Sequence, residues 1–286
     1  MKLVSSAKLR KAQNAIDAMR PYEQQLQRIL ASLTGNLSTE NPGFGGQTAQ
    51  NDNLSTEMAK SVDKFDGDVM PGADRASLPR AIVAIASNSS LCGGFNANAV
   101  AKVRSVRQAG DVVYSVGRKM ADVMRKDGFP SPADFSALAE HPAYAPAAAL
   151  VERLAQDLAD GRICRVLLVY NHFVSTARQV PVVEQLLPLT EMAGQAGHDR
   201  ASEDIIIEPS ARELLDILVP KTLKLKLYAA LLDSAAAEHA ARTIAMQTAT
   251  DNGNELLDEL TLQYNKGRQQ KITNEILDLA GGQAAQ

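Results

Sequence analysis

The C-terminal part of the chain constrains the fold most, because no proline interrupts it between Pro220 and about Ala280. Apolar, small and a few polar residues recur there at alternating spacings of three and four, which is typical of a helix with one packed face. The stripe consists of Leu225, Tyr228, Leu232, Ala235, His239, Arg242, Met246, Ala249, Gly253, Leu256 and Leu260. Sixty helical residues span about 90 Å, whereas a domain of about 150 residues is only about 40 Å across. We therefore expect the helix to project from any domain that it joins.

A projecting helix with an apolar seam needs a companion, and the N-terminal segment has the same period. Its apolar and small residues are Leu9, Ala12, Ile16, Met19, Leu26, Leu30 and Leu33. Pro21 lies inside this segment, where we expect a bend rather than an end. The two ends of the chain are therefore predicted to pair as an antiparallel coiled coil. At about 50 Å the first helix is too short to cover its partner, so the tip with Ile272, Ile276, Leu277 and Leu279 would stand unpaired.

Between the two helices, residues 80–208 alternate short apolar strands with amphipathic helices, the pattern of a mostly parallel α/β layer domain. Strands are predicted at 81–86, 112–116, 164–171 and 180–186, with an edge strand at 205–207, and helices at 97–108, 120–126 and 147–159. We interpret 129–146 as a loop. The fold class is α/β: a Rossmann-like domain inserted into an antiparallel coiled coil.

The predicted boundaries are 1–34 for the N-terminal helix, 35–79 for a polar insertion, 80–208 for the α/β domain and 209–286 for the C-terminal helix. The insertion contains the pentapeptide Asn-Leu-Ser-Thr-Glu twice. With 4% aromatic residues and no Trp, the chain does not have the composition of an all-β sandwich or barrel.

Charge and composition exclude several classes of function. A formal net charge of −3 gives no basic field for nucleic acid. The first helix is locally basic, as either a solvated face or a docking surface for an acidic partner. Two cysteines and four scattered histidines have no disulfide or metal-ligand spacing, so we expect a reduced intracellular setting, no metal and no cofactor. No apolar run approaches the roughly 20 residues that span a bilayer.

The turn after the first strand, Ser-Leu-Cys-Gly-Gly-Phe-Asn at 90–96, is the sharpest local motif. It could cradle a phosphate at a helix N-terminus, or present Cys92 as a nucleophile, and either function would make the chain a stand-alone nucleotide-binding or thiol enzyme. No Walker lysine or placed base accompanies it. We favour a structural turn built from Cys92, Gly93, Gly94 and Asn96.

The polar cluster 264–270 in the C-terminal helix is dense in hydrogen-bond donors. Arg268 and Gln269 offer a guanidinium and an amide, which suit carboxylates and hydroxyls on a facing protein. A solvated helix face explains the cluster equally well.

Three blocks together resemble the gamma subunits of F-type ATP synthases. They are Lys2–Gln13, Leu91–Asn96 and the run from Ala241 through Asp251-Asn252, Tyr264-Asn265-Lys266 and Arg268-Gln269 to Ile276. The resemblance covers essentially the whole chain. Three features depart from the family pattern. The chain begins well inside the family's usual first helix, which suggests a truncated or misplaced start. Asn88-Ser89-Ser90 replaces an Asp-Arg-Gly triplet, and the 35–57 insertion is longer than the family's turn.

The resemblance implies a rotor shaft that turns inside a ring of three alpha and three beta subunits. It would couple proton flow to ATP synthesis or hydrolysis at beta-subunit sites and regulate ATPase activity, without catalytic residues of its own. By resemblance, Arg242, Arg268 and Gln269 would contact the ring, and Ile272 and Ile276 would fit its apolar bearing. The α/β domain would meet the epsilon subunit and the c-subunit ring. The complex would lie at the cytoplasmic face of the bacterial inner membrane, with this chain peripheral to it.

Overall fold

The computed structural model describes residues 2–39, 78–188 and 210–283. The elements are α1 (Lys2–Thr39), β1 (Arg80–Ile85), α2 (Phe95–Val106), β2 (Val112–Val116), α3 (Arg118–Lys126), α4 (Ser136–Glu140), α5 (Tyr144–Ala159), β3 (Arg165–Phe173), β4 (Gln179–Leu187) and α6 (Ala211–Gln283). The predicted α/β class with two long terminal helices is confirmed. Most of the predicted insertion and the edge strand at 205–207 lie outside the described residues.

The four strands form one sheet in the order β2-β1-β3-β4. β1 pairs in parallel with β2 and β3, and β4 pairs antiparallel with β3. Pro181 lies in β4 opposite Asn171, and an edge strand tolerates proline because one side of its backbone has no ladder to complete. β1 is buried from Ala81 to Ile85, since helices cover both faces of the sheet, which explains its continuous apolar run.

Two apolar layers sandwich the sheet. On one face Ile82 and Ala84 pack with α2 and with Met120 and Met124 of α3. On the other face Val83 and its neighbours pack with α4, α5, Leu30 of α1 and the part of α6 from Leu215 to Leu231. The long helix therefore forms part of the core of the α/β layers as well as a coiled coil.

α1 and α6 run antiparallel. Leu9, near the start of α1, packs with Ala236 and Ala240, whereas Leu30 joins the cluster around Leu215. Alanine on α6 lets the two backbones approach closely at this crossing. Helix α1 continues through Pro21 without an end, as predicted.

Two boundaries differ from the sequence-based expectation. The predicted loop 129–146 contains α4 and the first turn of α5, and α4 is too short for its periodicity to be recognised, although Leu138 in it is buried. Helix α1 extends to Thr39, past the predicted end at residue 34. Polar residues such as those at 35–39 have no apolar stripe that would predict a helix.

Candidate functional site

Helix α6 divides into two parts with opposite surroundings. In the covered segment, residues 222–243, no residue is exposed, whereas in the exposed segment, residues 248–278, every residue is. The exposed segment is about 45 Å long at 1.5 Å per residue. It is the part of α6 that projects beyond the core described above.

Large apolar side chains lie on the exposed segment between residues 256 and 277. They are Leu256, Leu257, Leu260, Leu262, Tyr264, Ile272, Ile276 and Leu277, and they are 44% to 72% exposed. Exposed apolar residues in such density mark an interaction surface. The sequence predicted an unpaired tip from Ile272 onward, and the structure extends the unpaired region to include Leu256 and Leu262.

Four of the predicted site residues share one face of this segment. At 3.6 residues per turn, Arg268, Gln269, Ile272 and Ile276 lie within an arc of about 100°. Ile272 is 44% exposed and Ile276 is 60% exposed. Among the described residues Arg268 forms no ion pair, so its guanidinium remains available. This face combines a cation, an amide and two branched apolar side chains.

Arg242, the fifth predicted contact, is placed elsewhere. Its guanidinium donates to the Ser90 carbonyl at 2.5 Å, to Ser89 Oγ at 2.8 Å and to Glu238 Oε1 at 2.7 Å. Its side chain is only 12% exposed. Burial raises the pKa of Glu238, and the Arg242 guanidinium opposes that shift. Arg242 thus binds within the chain, an arrangement that sequence reasoning missed.

The turn that Arg242 contacts is held by a network of side chains. Asn96 Oδ1 accepts from the backbone and the hydroxyl of Ser87, both at 3.0 Å. Asn96 Nδ2 donates to the Ser89 carbonyl at 3.3 Å and to Cys92 Sγ at 3.2 Å. Leu91 has φ 66° and Gly93 has φ 56°, so two residues adopt the left-handed conformation that glycine favours.

The same turn is braced from the sheet side. Gly117, with φ 103°, lies so close to the end of β1 that a Cβ there would stand 2.2 Å from the Ala86 carbonyl oxygen. The Lys119 amide donates to the Ser87 carbonyl, and the Arg118 amide donates to Asn88 Oδ1. Only glycine fits at residue 117, because any side chain would push β1 away from β2.

Cys92 lies inside this network rather than on a surface. It is 2% exposed and packs with Phe95 and Ala237, and its thiol contacts the Ser89 carbonyl at 3.9 Å. Within the described residues, no group of three or more metal-binding side chains is found. A substrate has no access to the Cys92 thiol, so the thiol-enzyme alternative has no support from this geometry.

Two titratable groups, Asp233 and His239, lie on the covered segment. The seam position of His239 predicts a hydrogen-bonded interface histidine rather than a ligand, whereas nothing in the sequence singles out Asp233. Asp233 Oδ2 lies 2.5 Å from His172 Nδ1, and its other oxygen accepts from the Phe173 amide at 3.1 Å. Burial raises the pKa of Asp233, and His172 opposes that shift. Burial, with Lys8 and Arg242 nearby, lowers the pKa of His239 to about 4. Among the described residues Nδ1 of His239 has no hydrogen-bond partner, so the predicted hydrogen bond is not found at this nitrogen.

The sequence matches the protein-family profile described as ATP synthase over residues 1–285. It is 42% identical over 295 residues to an ATP synthase gamma chain of Bacteroides fragilis, with 100% of this chain and 92% of the relative covered. The chain belongs to the ATP synthase gamma-chain family. A gamma chain of Flavobacterium johnsoniae is 37% identical over 289 residues, covering 100% of this chain and 91% of the relative.

Solved structures share the fold of this gamma chain. A chain of the Euglena gracilis mitochondrial ATP synthase has a TM-score of 0.55 at 18% identity, covering 98% of this chain and 95% of its own. A chain from the central stalk and c-ring of the Tetrahymena thermophila enzyme has a TM-score of 0.54 at 20% identity, covering 87% and 97%.

Membership of the gamma-chain family makes the chain the central-stalk rotor subunit of an F-type ATP synthase. The function implied by the sequence resemblance is confirmed, and the stand-alone enzyme is not supported. The subunit belongs to a membrane-associated complex, yet in the part of the chain that the structure describes, no helix has the length and hydropathy needed to cross a membrane.

Proposed function

We propose that the exposed segment of α6 is the shaft that a ring of three alpha and three beta subunits encloses. The single observation that carries this proposal is that every residue from 248 to 278 is exposed, with large apolar side chains between residues 256 and 277. A surface of this kind is stabilised by burial against other protein. Rotation of one asymmetric shaft then presents a different contact to each catalytic neighbour in turn.

Within the shaft, Arg268 and Gln269 make the polar contacts to the ring, because a guanidinium and an amide pair well with carboxylates and hydroxyls. Ile272 and Ile276 lie on the same helix face and fit the apolar bearing. The chain itself holds no catalytic residue, and the chemistry of ATP takes place on the beta subunits.

At the other end of the molecule, the α/β layers contact the epsilon subunit and the c-subunit ring. Proton flow through the membrane sector turns the c-ring and with it this chain, so that rotation drives ATP synthesis, and the reverse rotation accompanies ATP hydrolysis and proton pumping. The contacts of the shaft also set the ATPase rate. The chain is peripheral to the membrane, at the cytoplasmic face of the bacterial inner membrane.

The test is the double substitution Arg268→Ala with Gln269→Ala in the assembled complex. Loss of two hydrogen bonds to a facing protein surface lowers the rate of coupled ATP turnover by about tenfold. The isolated chain keeps its stability within about 0.5 kcal/mol, since both positions are exposed. ATP hydrolysis and proton uptake are measured in reconstituted vesicles.

Lys126→Ala serves as the matched control, because Lys126 is also an exposed cation but lies at the end of α3. The control keeps full turnover. If the double variant assembles and turns over ATP at the original rate, Arg268 and Gln269 are not the ring contacts.

A further inference from the structure

We propose that Arg242 is a positioning residue that fastens the turn 87–96 to α6 and thereby carries torque between the shaft and the α/β layers. This inference rests on the proposed function, because it assumes that the exposed segment is held at one end and the α/β layers at the other. We call the contact between the turn 87–96 and residues 237–245 of α6 the joint. Arg242 belongs to this joint and not to the contact with the ring that the sequence resemblance implied.

The joint lies where the covered segment of α6 gives way to the exposed segment. The covered segment ends at residue 243, and every residue from 248 to 278 is exposed. A Cβ on Gly93 would lie 3.9 Å from the Ala245 Cβ, so the turn reaches α6 at this boundary. Any torque that passes from the exposed segment into the α/β layers crosses α6 beside the turn.

The apolar contact at the joint is small. Cys92 and Phe95 of the turn pack with Ala237 and Ala241, and alanine side chains bury little area. Apolar packing is also non-directional, so it resists sliding and rotation of α6 against the turn only weakly. A directional link has to come from polar contacts.

Arg242 supplies that directional link. Its two terminal nitrogens reach one carbonyl and one hydroxyl of the turn, while Glu238, one helical turn away, fixes the guanidinium from α6 itself. Planar guanidinium groups hold such geometry well, because their donors are fixed relative to one another. The side chains of Arg242 and Glu238 are 12% and 13% exposed, so water competes little for these bonds.

Hydrogen bonds within the turn and from β3 restrain the turn, so that it can transmit a force from α6 to the sheet. Asn96 hydrogen-bonds Ser87, Ser89 and Cys92. The side-chain amide of Asn171 donates from Nδ2 to the Phe95 carbonyl at 3.1 Å, which joins the turn to β3. The backbone of a helix lies only about 2.3 Å from its axis. The Arg242 side chain reaches beyond that radius. Its hydrogen bonds to the turn therefore resist rotation of α6 at a greater distance from the helix axis than a backbone contact would.

The experiment compares loaded and unloaded rotation in the reconstituted complex, with the variants Arg242→Ala, Arg242→Lys and Ser89→Ala. Loaded turnover is ATP-driven proton uptake against an established proton gradient, and unloaded turnover is ATP hydrolysis with an ionophore present. For Arg242→Ala we expect loaded turnover to fall about tenfold, with unloaded hydrolysis unchanged. Arg242→Lys restores loaded turnover in part, and Ser89→Ala lowers it in the same direction by a smaller factor.

Hydrogen exchange of residues 87–96 in the assembled complex gives a readout that does not depend on activity. Arg242→Ala and Ser89→Ala both speed exchange there, and Lys126→Ala does not. Equal loss of loaded and unloaded turnover in Arg242→Ala, with no effect of Ser89→Ala, would overturn the joint and return Arg242 to the ring contact. Unchanged loaded turnover in an assembled Arg242→Ala complex would also overturn the joint. Failure of the unsubstituted complex to couple ATP hydrolysis to proton uptake would count against the proposed function instead.

Discussion

The covered and exposed segments of α6 belong to one continuous helix but have opposite surroundings. In the covered segment α1 packs on one side and the sheet on another, so that Leu227 is fully buried. In the exposed segment Leu257, a residue of the same type, is 63% exposed. Helical periodicity alone does not distinguish the two segments.

This difference separates two roles that a leucine on one helix can have. Burial in the covered segment contributes to the stability of the chain itself, whereas an exposed leucine contributes only once another protein covers it. The alanines follow the same division, because Ala236 and Ala240 are fully buried against Leu9 while Ala249 is exposed. Periodicity identified the helix, and packing determines what each part of it does.

Leu227→Ala is the substitution with the largest expected effect on stability. It removes a fully buried side chain from the core between α6 and the sheet, and such changes lower the free energy of unfolding by about 2–5 kcal/mol. Chemical denaturation of the isolated chain measures the effect. Leu257→Ala is the matched control, with a change below about 0.5 kcal/mol. Similar losses of unfolding free energy for both variants would show that the covered and exposed segments do not differ in their contribution to stability.

His239 gives a smaller, pH-dependent effect within the covered segment. Its pKa is lowered to about 4 from an ordinary value of 6.5, so below pH 6.5 the unfolded chain binds a proton that the folded chain does not. Stability is therefore fully retained above pH 6.5 and falls as the pH drops toward 4. Allowing for partial exposure, the loss is about 1–2 kcal/mol.

The variant His239→Gln tests this assignment, because glutamine keeps a polar side chain without a titratable ring. The difference in unfolding free energy between pH 7 and pH 4.5 becomes smaller than in the unsubstituted chain. Glu238 and Asp233 have raised pKa values and act in the opposite sense, but they are present in both proteins. An identical pH dependence of the two proteins would show that His239 is not the group responsible.

The sequence predicted the parts of the fold that depend on local repetition. The three-four alternation in both terminal helices and the short apolar runs of β1 to β4 each follow from neighbouring residues, and they identified the elements within a few positions. The antiparallel pairing of α1 with α6 followed from helix length, because about sixty helical residues after Pro220 are too long for a compact domain.

The joint at Arg242 could not be predicted in this way. Its hydrogen bond to Ser89 joins residues 153 positions apart, and no periodicity links a seam position of a helix to a turn after a distant strand. The stripe placed Arg242 and His239 on the same seam as Leu256, yet the first two lie within the packed part of the molecule and Leu256 is exposed. The residues at 268–276 were named from the family resemblance, and their contact with the ring stays a prediction.

Hydrogen exchange of α6 in the isolated chain and in the assembled complex measures whether the ring encloses the exposed segment. Amides of the exposed segment, residues 248–278, are expected to exchange rapidly in the isolated chain and to become strongly protected on assembly. Amides of the covered segment, residues 222–243, are protected in both states. Equal exchange of the exposed segment before and after assembly would contradict the claim that the ring encloses it.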